Sequence, residues 1–131
     1  MPHLVYEITD NLDTAEADIP GLLKKSNLVL IAQGGVFPIG GIRSRVVWLK
    51  DYCIADGSHP DDAFVHASLK VGAGRSEAEK KKACEELFAM MSEHFAAIFA
   101  QRGLALSMEF SEFSEAGTWK KNNIHPRYKK T

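Results

Sequence analysis

Ala63-Phe64-Val65-His66-Ala67-Ser68-Leu69-Lys70-Val71, then Gly72-Ala73-Gly74-Arg75, then Ser76-Glu77-Ala78-Glu79 follow one another without interruption. In order they read as a strand, a turn of small residues and the opening of a helix. Ser76 and Glu79 have capping-box spacing, in which a hydroxyl and a carboxylate reciprocally satisfy free N–H groups of the first turn. Cys84, Leu87, Phe88, Met91, Phe95, Ile98 and Phe99 then recur at helical spacing, and Met90 widens the stripe. The spacing predicts a helix from Ser76 to about Gln101 whose stripe is core rather than a cofactor box. A strand from Leu104 to Phe113 completes a β-α-β unit over residues 63–113.

Working outward, the preceding residues repeat the plan. His3-Leu4-Val5-Tyr6-Glu7-Ile8 is β-rich and ends in the turn formers Thr9-Asp10-Asn11. Asp18 precedes Ile19-Pro20, with proline in the first helical turn, and Leu22, Leu23, Ser26, Val29 and Leu30 share one face. Gly34-Gly35 stops that helix, the Gly40-Gly41 turn follows, and Ile42 to Leu49 alternates as a strand before Asp56-Gly57-Ser58-His59-Pro60. This is a first β-α-β unit over residues 2–55. Residues 114–131 are polar and aromatic with little periodicity, an arm expected to fray or to pack on a neighbour. The whole, 1–131, reads as a single domain of the α+β class: a four-stranded sheet with two helices on one face, because crossovers are right-handed. Leucines and valines on both sides of the strands leave the second face in need of cover, which predicts oligomerisation. A ferredoxin-like binding module shares this element order.

Sixteen Lys and Arg against seventeen Asp and Glu leave a formal net charge of −1 over 131 residues. No global field exists to hold nucleic acid or an anionic membrane, so neither is expected as a partner. Apolar runs such as Leu28 to Ala32 are far short of the ~18–20 residues that cross a bilayer. Cys53 and Cys84 are isolated thiols, and the start has no basic n-region or apolar h-region, which reads as a cytoplasmic, reduced protein. The five histidines lack metal-ligand spacing, and a Walker loop, a dinucleotide fingerprint and a serine-nucleophile motif are absent. No metal and no cofactor are expected.

Four residues could carry chemistry. Trimming Met1 would leave Pro2 as a secondary amine, and an α-amino group titrates near about 7.7–8.0 before perturbation. Arginines or partial burial would lower that value towards the pH where general bases work best; otherwise Pro2 is simply the first residue of an edge strand. Arg75 stands in a Gly-Ala-Gly turn before a helix, where amides, dipole and guanidinium would favour an anion such as a carboxylate; otherwise it is solvated at a turn that needs small residues. Arg43 and Arg45 point to one face, with Ser44 on the other. They form either a carboxylate-binding wall or a charged rim paired with acids at a subunit interface. His66 reads as a hydrogen-bonded core histidine and His59 as a loop residue.

Taken together, the chain resembles the tautomerase superfamily, and within it the 5-carboxymethyl-2-hydroxymuconate isomerases. The blocks that carry the resemblance are Met1-Pro2-His3, Asp10-Asn11, Ala17-Asp18-Ile19-Pro20-Gly21-Leu22, Phe37-Pro38, Gly41-Ile42-Arg43-Ser44-Arg45, Ala55-Asp56-Gly57, Ala63-Phe64-Val65-His66, Lys70 to Ser76 and Asn122-Asn123-Ile124-His125. Ser58 to Asp62 and Pro126 to Thr131 fall outside it. The resemblance implies a homotrimer whose sheets form a central barrel-like core, sites near subunit boundaries, and no cofactor. It implies Pro2 as the base that moves a proton in a conjugated 2-hydroxy or 2-oxo dicarboxylate during aromatic-compound breakdown, such as homoprotocatechuate degradation. Arg43 and Arg75 would hold carboxylates and the developing oxyanion. A related tautomerase of a smaller 2-keto acid, or an oligomeric small-anion binding module without turnover, are the alternatives.

Overall fold

Alternation along four strands decides how the chain layers. In β1 (His3–Thr9) Leu4, Tyr6 and Ile8 are buried, and in β3 (Ala63–Gly72) Ala63, Val65, Ala67, Leu69 and Val71 are buried, one residue in two. The computed structural model describes residues 1–128, and in it these two strands pair antiparallel at the centre of a four-stranded sheet. The edges are β2 (Arg43–Leu49), parallel to β1, and β4 (Leu104–Phe113), parallel to β3, giving the order β2-β1-β3-β4. Each parallel pair is spanned by a long helix, α2 (Ile19–Ile31) in the first unit and α3 (Glu77–His94) in the second, and the two pack on each other against one face. This is the sheet-and-helix plan expected from the doubled unit.

Local chemistry sets the helix ends. Asp18 accepts from Gly21 N at 3.2 Å and starts α2; the reciprocal Ser76–Glu79 box starts α3, with bonds of 3.1 and 2.9 Å. A short helix α1 (Thr14–Ala17), capped by Asp13, precedes α2 and lay outside the sequence reading. Between the layers, Ser26 Oγ donates to Leu22 O at 2.7 Å and so accepts from the Tyr6 phenol at 2.6 Å. Burial pushes that phenol up to about 12.

Three expectations need correction. The helix expected to run to Gln101 is interrupted at Phe95, and α4 (Ala96–Gln101) follows directly. His94 Nε2 donates to Ala17 O at 2.6 Å and Phe95 is fully buried against its ring, so a distant carbonyl and the core interrupt the helix where the apolar stripe itself is continuous. The second face of the sheet is mixed rather than a leucine and valine surface: by register Val5, Val47, Leu49, Phe64 and Phe113 lie on it among His3, Glu7, Arg43, Arg45, His66, Ser68, Lys70, Ser107 and Glu109. Period-two alternation sends most of the aliphatic residues to the helices, and what remains is more polar than apolar. His66 is accordingly no core residue; its ring lies on that open face, bonded to Ser107 Oγ at 2.7 Å and Glu109 Oε1 at 3.2 Å.

The arm does not fray over its described part. After a turn at Ser114–Thr118, where Thr118 Oγ1 donates to Ser114 O at 2.7 Å, it runs back along its own chain to a 3-10 turn, His125–Tyr128, packed on another at Ile39–Gly41. Lys129, Lys130 and Thr131 lie outside the described residues.

Candidate active site

The parallel pairing of β1 with β2 puts His3 opposite Arg43, so the start of the chain and the start of β2 lie side by side; Arg43 N donates to Pro2 O at 3.1 Å. The antiparallel pairing with β3 brings the turn after Gly72 to the same end, because His3 is opposite Lys70. Pro2, Arg43 and Arg75 are thus gathered at one end of the sheet by two different register relations.

Arg75 is held firmly. Its Nε donates to Val36 O at 3.0 Å, its Nη1 to Gly72 O at 2.9 Å, and the guanidinium lies 4.7 Å from the centroid of the buried Phe37 ring. Two carbonyls and an aromatic face fix the plane. Nη2 donates to none of the described residues, so one side of the fork remains for a guest. Two amides of the following turn are not offered with it: those of Ser76 and Glu79 are already taken in the capping box. Arg43 directs Nη1 to Gly41 O at 3.4 Å and to the Met1 sulfur at 3.5 Å. Arg45 instead turns to His3, donating to Nδ1 at 3.2 Å. An imidazole nitrogen that accepts from a guanidinium is unprotonated, in line with burial, Arg45 and Arg43 lowering the His3 pKa.

The amino terminus itself sits in this cationic corner. Burial foremost, then Arg75, Lys120 and Arg43, lower the pKa of the Met1 ammonium from 8.0, and Glu115 opposes them. With Met1 in place the nitrogen of the buried Pro2 is an amide and has no basicity. The Met1 side chain occupies the space between Gly41, Arg43 and Asn122. The nearest cavity, about 280 Å³ lined by Phe37, Pro38, Ile39, Gly40, His125 and Tyr128 among others, includes none of Pro2, Arg43 and Arg75. Among the described residues no group of three or more His, Cys, Asp and Glu converges as metal ligands would, and Cys53 and Cys84 are free thiols.

Sequence reasoning missed the contribution of the tail. Asn122 Oδ1 accepts from Ile124 N at 2.6 Å and His125 N at 3.3 Å, while its Nδ2 donates to Gly40 O at 3.0 Å and lies 3.7 Å from the Met1 sulfur. Gly40 makes this approach possible: a β-carbon there would stand 2.7 Å from His125 Cα. Nearer the sheet, Lys120 pairs with Glu115 at 3.5 Å. The signal available in advance was the Asn-Asn dipeptide, an Asx-turn former in an otherwise aperiodic stretch.

A pKa-lowered amine beside one guanidinium with a free donor and another held by a backbone carbonyl can take up a proton next to a bound anion. Residues 2–128 match the family of 5-carboxymethyl-2-hydroxymuconate isomerases. The chain is 47% identical to a protein of Escherichia coli named 5-carboxymethyl-2-hydroxymuconate Delta-isomerase, over 98% of this chain and 100% of that one. The crystal structure of a 5-carboxymethyl-2-hydroxymuconate isomerase from Deinococcus radiodurans R1 superposes with a TM-score of 0.94 at 60% identity, covering 98% of this chain and 95% of that one. A second crystal structure, of a 5-carboxymethyl-2-hydroxymuconate delta-isomerase, gives 0.80 at 30% identity, covering 100% and 95%. At 13% identity the fold alone is shared with a fused 4-OT symmetric trimer, TM-score 0.63, over 91% and 93% of the two chains.

Proposed function

This chain belongs to the 5-carboxymethyl-2-hydroxymuconate isomerase family, and from that membership we propose that it isomerises 5-carboxymethyl-2-hydroxymuconate or a close unsaturated 2-hydroxy dicarboxylate, in the cytoplasm, during aromatic-compound breakdown. Pro2 is the base once Met1 has been removed. Its amine takes the proton of the 2-hydroxyl; the electron pair of that O–H bond becomes the carbonyl, the double bonds shift by one position, and the proton returns to the carbon at the far end of the diene. Nothing is gained or lost overall, so the reaction needs no co-reactant. Arg75, through its free Nη2, and Arg43 hold carboxylates and the oxyanion that develops at the 2-position. Burial first, and then the charges that bind the anion, lower the pKa of an amine at the chain start, which favours the neutral state a base requires.

The observation that carries this reading is the crowding of Arg75, Arg43 and Lys120 around the chain start, where an ammonium is disfavoured. Removing Met1 transfers the amine to Pro2 and empties the space between Gly41, Arg43 and Asn122 next to it. A homotrimer is part of the proposal. The polar open face suits a solvated centre, and exposed Val47 and Trp48 on the β2 edge, with Phe88 and Phe99 beside β4, suit contacts between copies. The test takes protein whose intact mass proves a proline start and follows conversion of 5-carboxymethyl-2-hydroxymuconate by ultraviolet absorbance. Turnover is expected, and is expected to vanish when Met1 is retained. Equal rates in both preparations would remove Pro2 as the base; no conversion with Pro2 free would remove this substrate.

A further inference from the structure

The proposed substrate carries three carboxylates, two on the muconate chain and one on the carboxymethyl branch, whereas the site described so far offers two guanidiniums. A third carboxylate left unpaired beside a half-buried site is costly. The other cations at this end of the sheet divide into two groups. Arg45 and Lys70 act on His3, across the open face, and Arg45 is already engaged with the ring. Lys120 acts on the amino terminus, where its effect ranks between those of Arg75 and Arg43.

Geometry explains why. Glu115 lies over Gly72, its Oε1 3.3 Å from where a β-carbon there would stand, and the Gly72 carbonyl is the one that accepts from Arg75 Nη1. Lys120 Nζ is 3.5 Å from the other oxygen of Glu115. Two residues further on, Asn122 is anchored to Gly40 O and touches the Met1 sulfur. Lys120 is therefore bracketed between a carboxylate at the Arg75 turn and an amide at the Met1 side chain. Its side chain is 42% exposed and that of Glu115 65%, so the pair is open to exchange.

Resting on the isomerase reading, we propose that Lys120 is a specificity-determining residue that holds the carboxymethyl carboxylate of the substrate, with Glu115 occupying the ammonium while the site is empty. The arriving carboxylate takes the place of the Glu115 carboxylate, which moves into solvent. As a compact point charge on a flexible stem, a lysine suits a carboxylate on a rotatable branch, while the planar forks of Arg43 and Arg75 suit the conjugated frame.

The experiment compares Lys120→Gln and Lys120→Arg with the parent, all beginning at Pro2, on 5-carboxymethyl-2-hydroxymuconate and on 2-hydroxymuconate, which lacks the branch. For Lys120→Gln the KM for the tricarboxylate is expected to rise about tenfold or more relative to any change on the dicarboxylate, with kcat moving less than KM and Lys120→Arg recovering most of the loss. Equal changes on both substrates would overturn the inference, since a merely structural lysine would behave so. Calorimetric binding of propane-1,2,3-tricarboxylate against pentanedioate separates this from the isomerase reading. If the parent turns over neither muconate yet prefers the tricarboxylate in a Lys120-dependent way, the isomerase reading and this substrate fall, and Lys120 stands only as the holder of a third carboxylate. If the parent turns over the muconates but binds both test acids alike, Lys120 loses the role and the isomerase reading stands.

Discussion

Arg75 and Arg102 stand at opposite ends of the same sheet. Both guanidiniums bind backbone carbonyls, but Arg102 uses every nitrogen: Nε and Nη2 donate to Asp61 O, and Nη1 reaches Asn11 O at 3.4 Å. Asn11 Nδ2 in turn donates to Asp62 O at 2.8 Å, which closes that end over the start of β3. Arg75 uses Nε and Nη1 and keeps Nη2 free of the described residues, next to the start of β1. A guanidinium with every nitrogen engaged by carbonyls is a clamp that ties loops together. One with a whole nitrogen left over, its plane fixed by carbonyls and an aromatic ring, is what the proposed function uses as a preorganised receptor for an anion. The two β-α-β units share a topology, so the chemistry follows from how each end is finished.

The sharpest way to break the comparison is to cancel what distinguishes the active end. Protein that keeps Met1, or carries another residue ahead of Pro2 so that its nitrogen is an amide, should lose about 10²–10⁴-fold in turnover, the usual contribution of a positioned base; Pro2→Ala, which keeps a primary amine, should lose less. Stopped assays on mass-verified samples decide this. Arg75→Ala should lower kcat/KM by about 10²–10³-fold, as loss of an oxyanion donor does, and also lower the midpoint of thermal unfolding, since the carbonyls of Val36 and Gly72 lose their donor.

Gly40→Ala is expected to act through the tail. The new methyl would meet the His125 backbone, so residues 119–128 should lift off, seen as faster proteolysis and a raised KM; the overpacking itself costs about 1–3 kcal/mol if the turn resists. The pH profile gives a finer reading. Burial and the nearby cations lower the Met1 ammonium pKa; if the Pro2 amine of the trimmed protein meets the same surroundings and is the proposed base, activity should rise through a limb below the ordinary 8.0 of an α-amino group. Among the charges that lower it, Arg75 acts most strongly, so residual activity in Arg75→Ala should show that limb moved upward. Arg102→Ala should have the smallest effect on catalysis. It should destabilise the fold by about 1–3 kcal/mol through unpaired carbonyls while kcat/KM stays within a few-fold of the parent. A loss comparable to that of Arg75→Ala would erase the distinction between clamp and receptor.

Much of this was legible in the chain itself. The doubled β-α-β plan, the Ser76–Glu79 cap, the Asp18–Ile19–Pro20 start and the placement of Arg75 at a strand-to-helix turn all rest on residues within one or two turns of each other, where periodicity and capping act. Pro2 and Arg43 could be named as candidates for the same reason: each stands at the start of a strand. The polar character of the open face was also written in the alternation of β1 and β3, though counting leucines and valines without assigning faces concealed it.

What the sequence by itself determined is therefore the order and type of the elements and the residue types available at their ends. Only the tertiary structure decided that Asn122 closes on Gly40 across 82 residues, that Val36 supplies a carbonyl to Arg75 across 39, and that His94 bonds to Ala17 across 77 where its helix is interrupted. The cost of closing such loops grows only with the logarithm of their length. Distance along the chain therefore leaves no periodic mark by which one partner announces the other, and the packed sheet and helices select which of them meet.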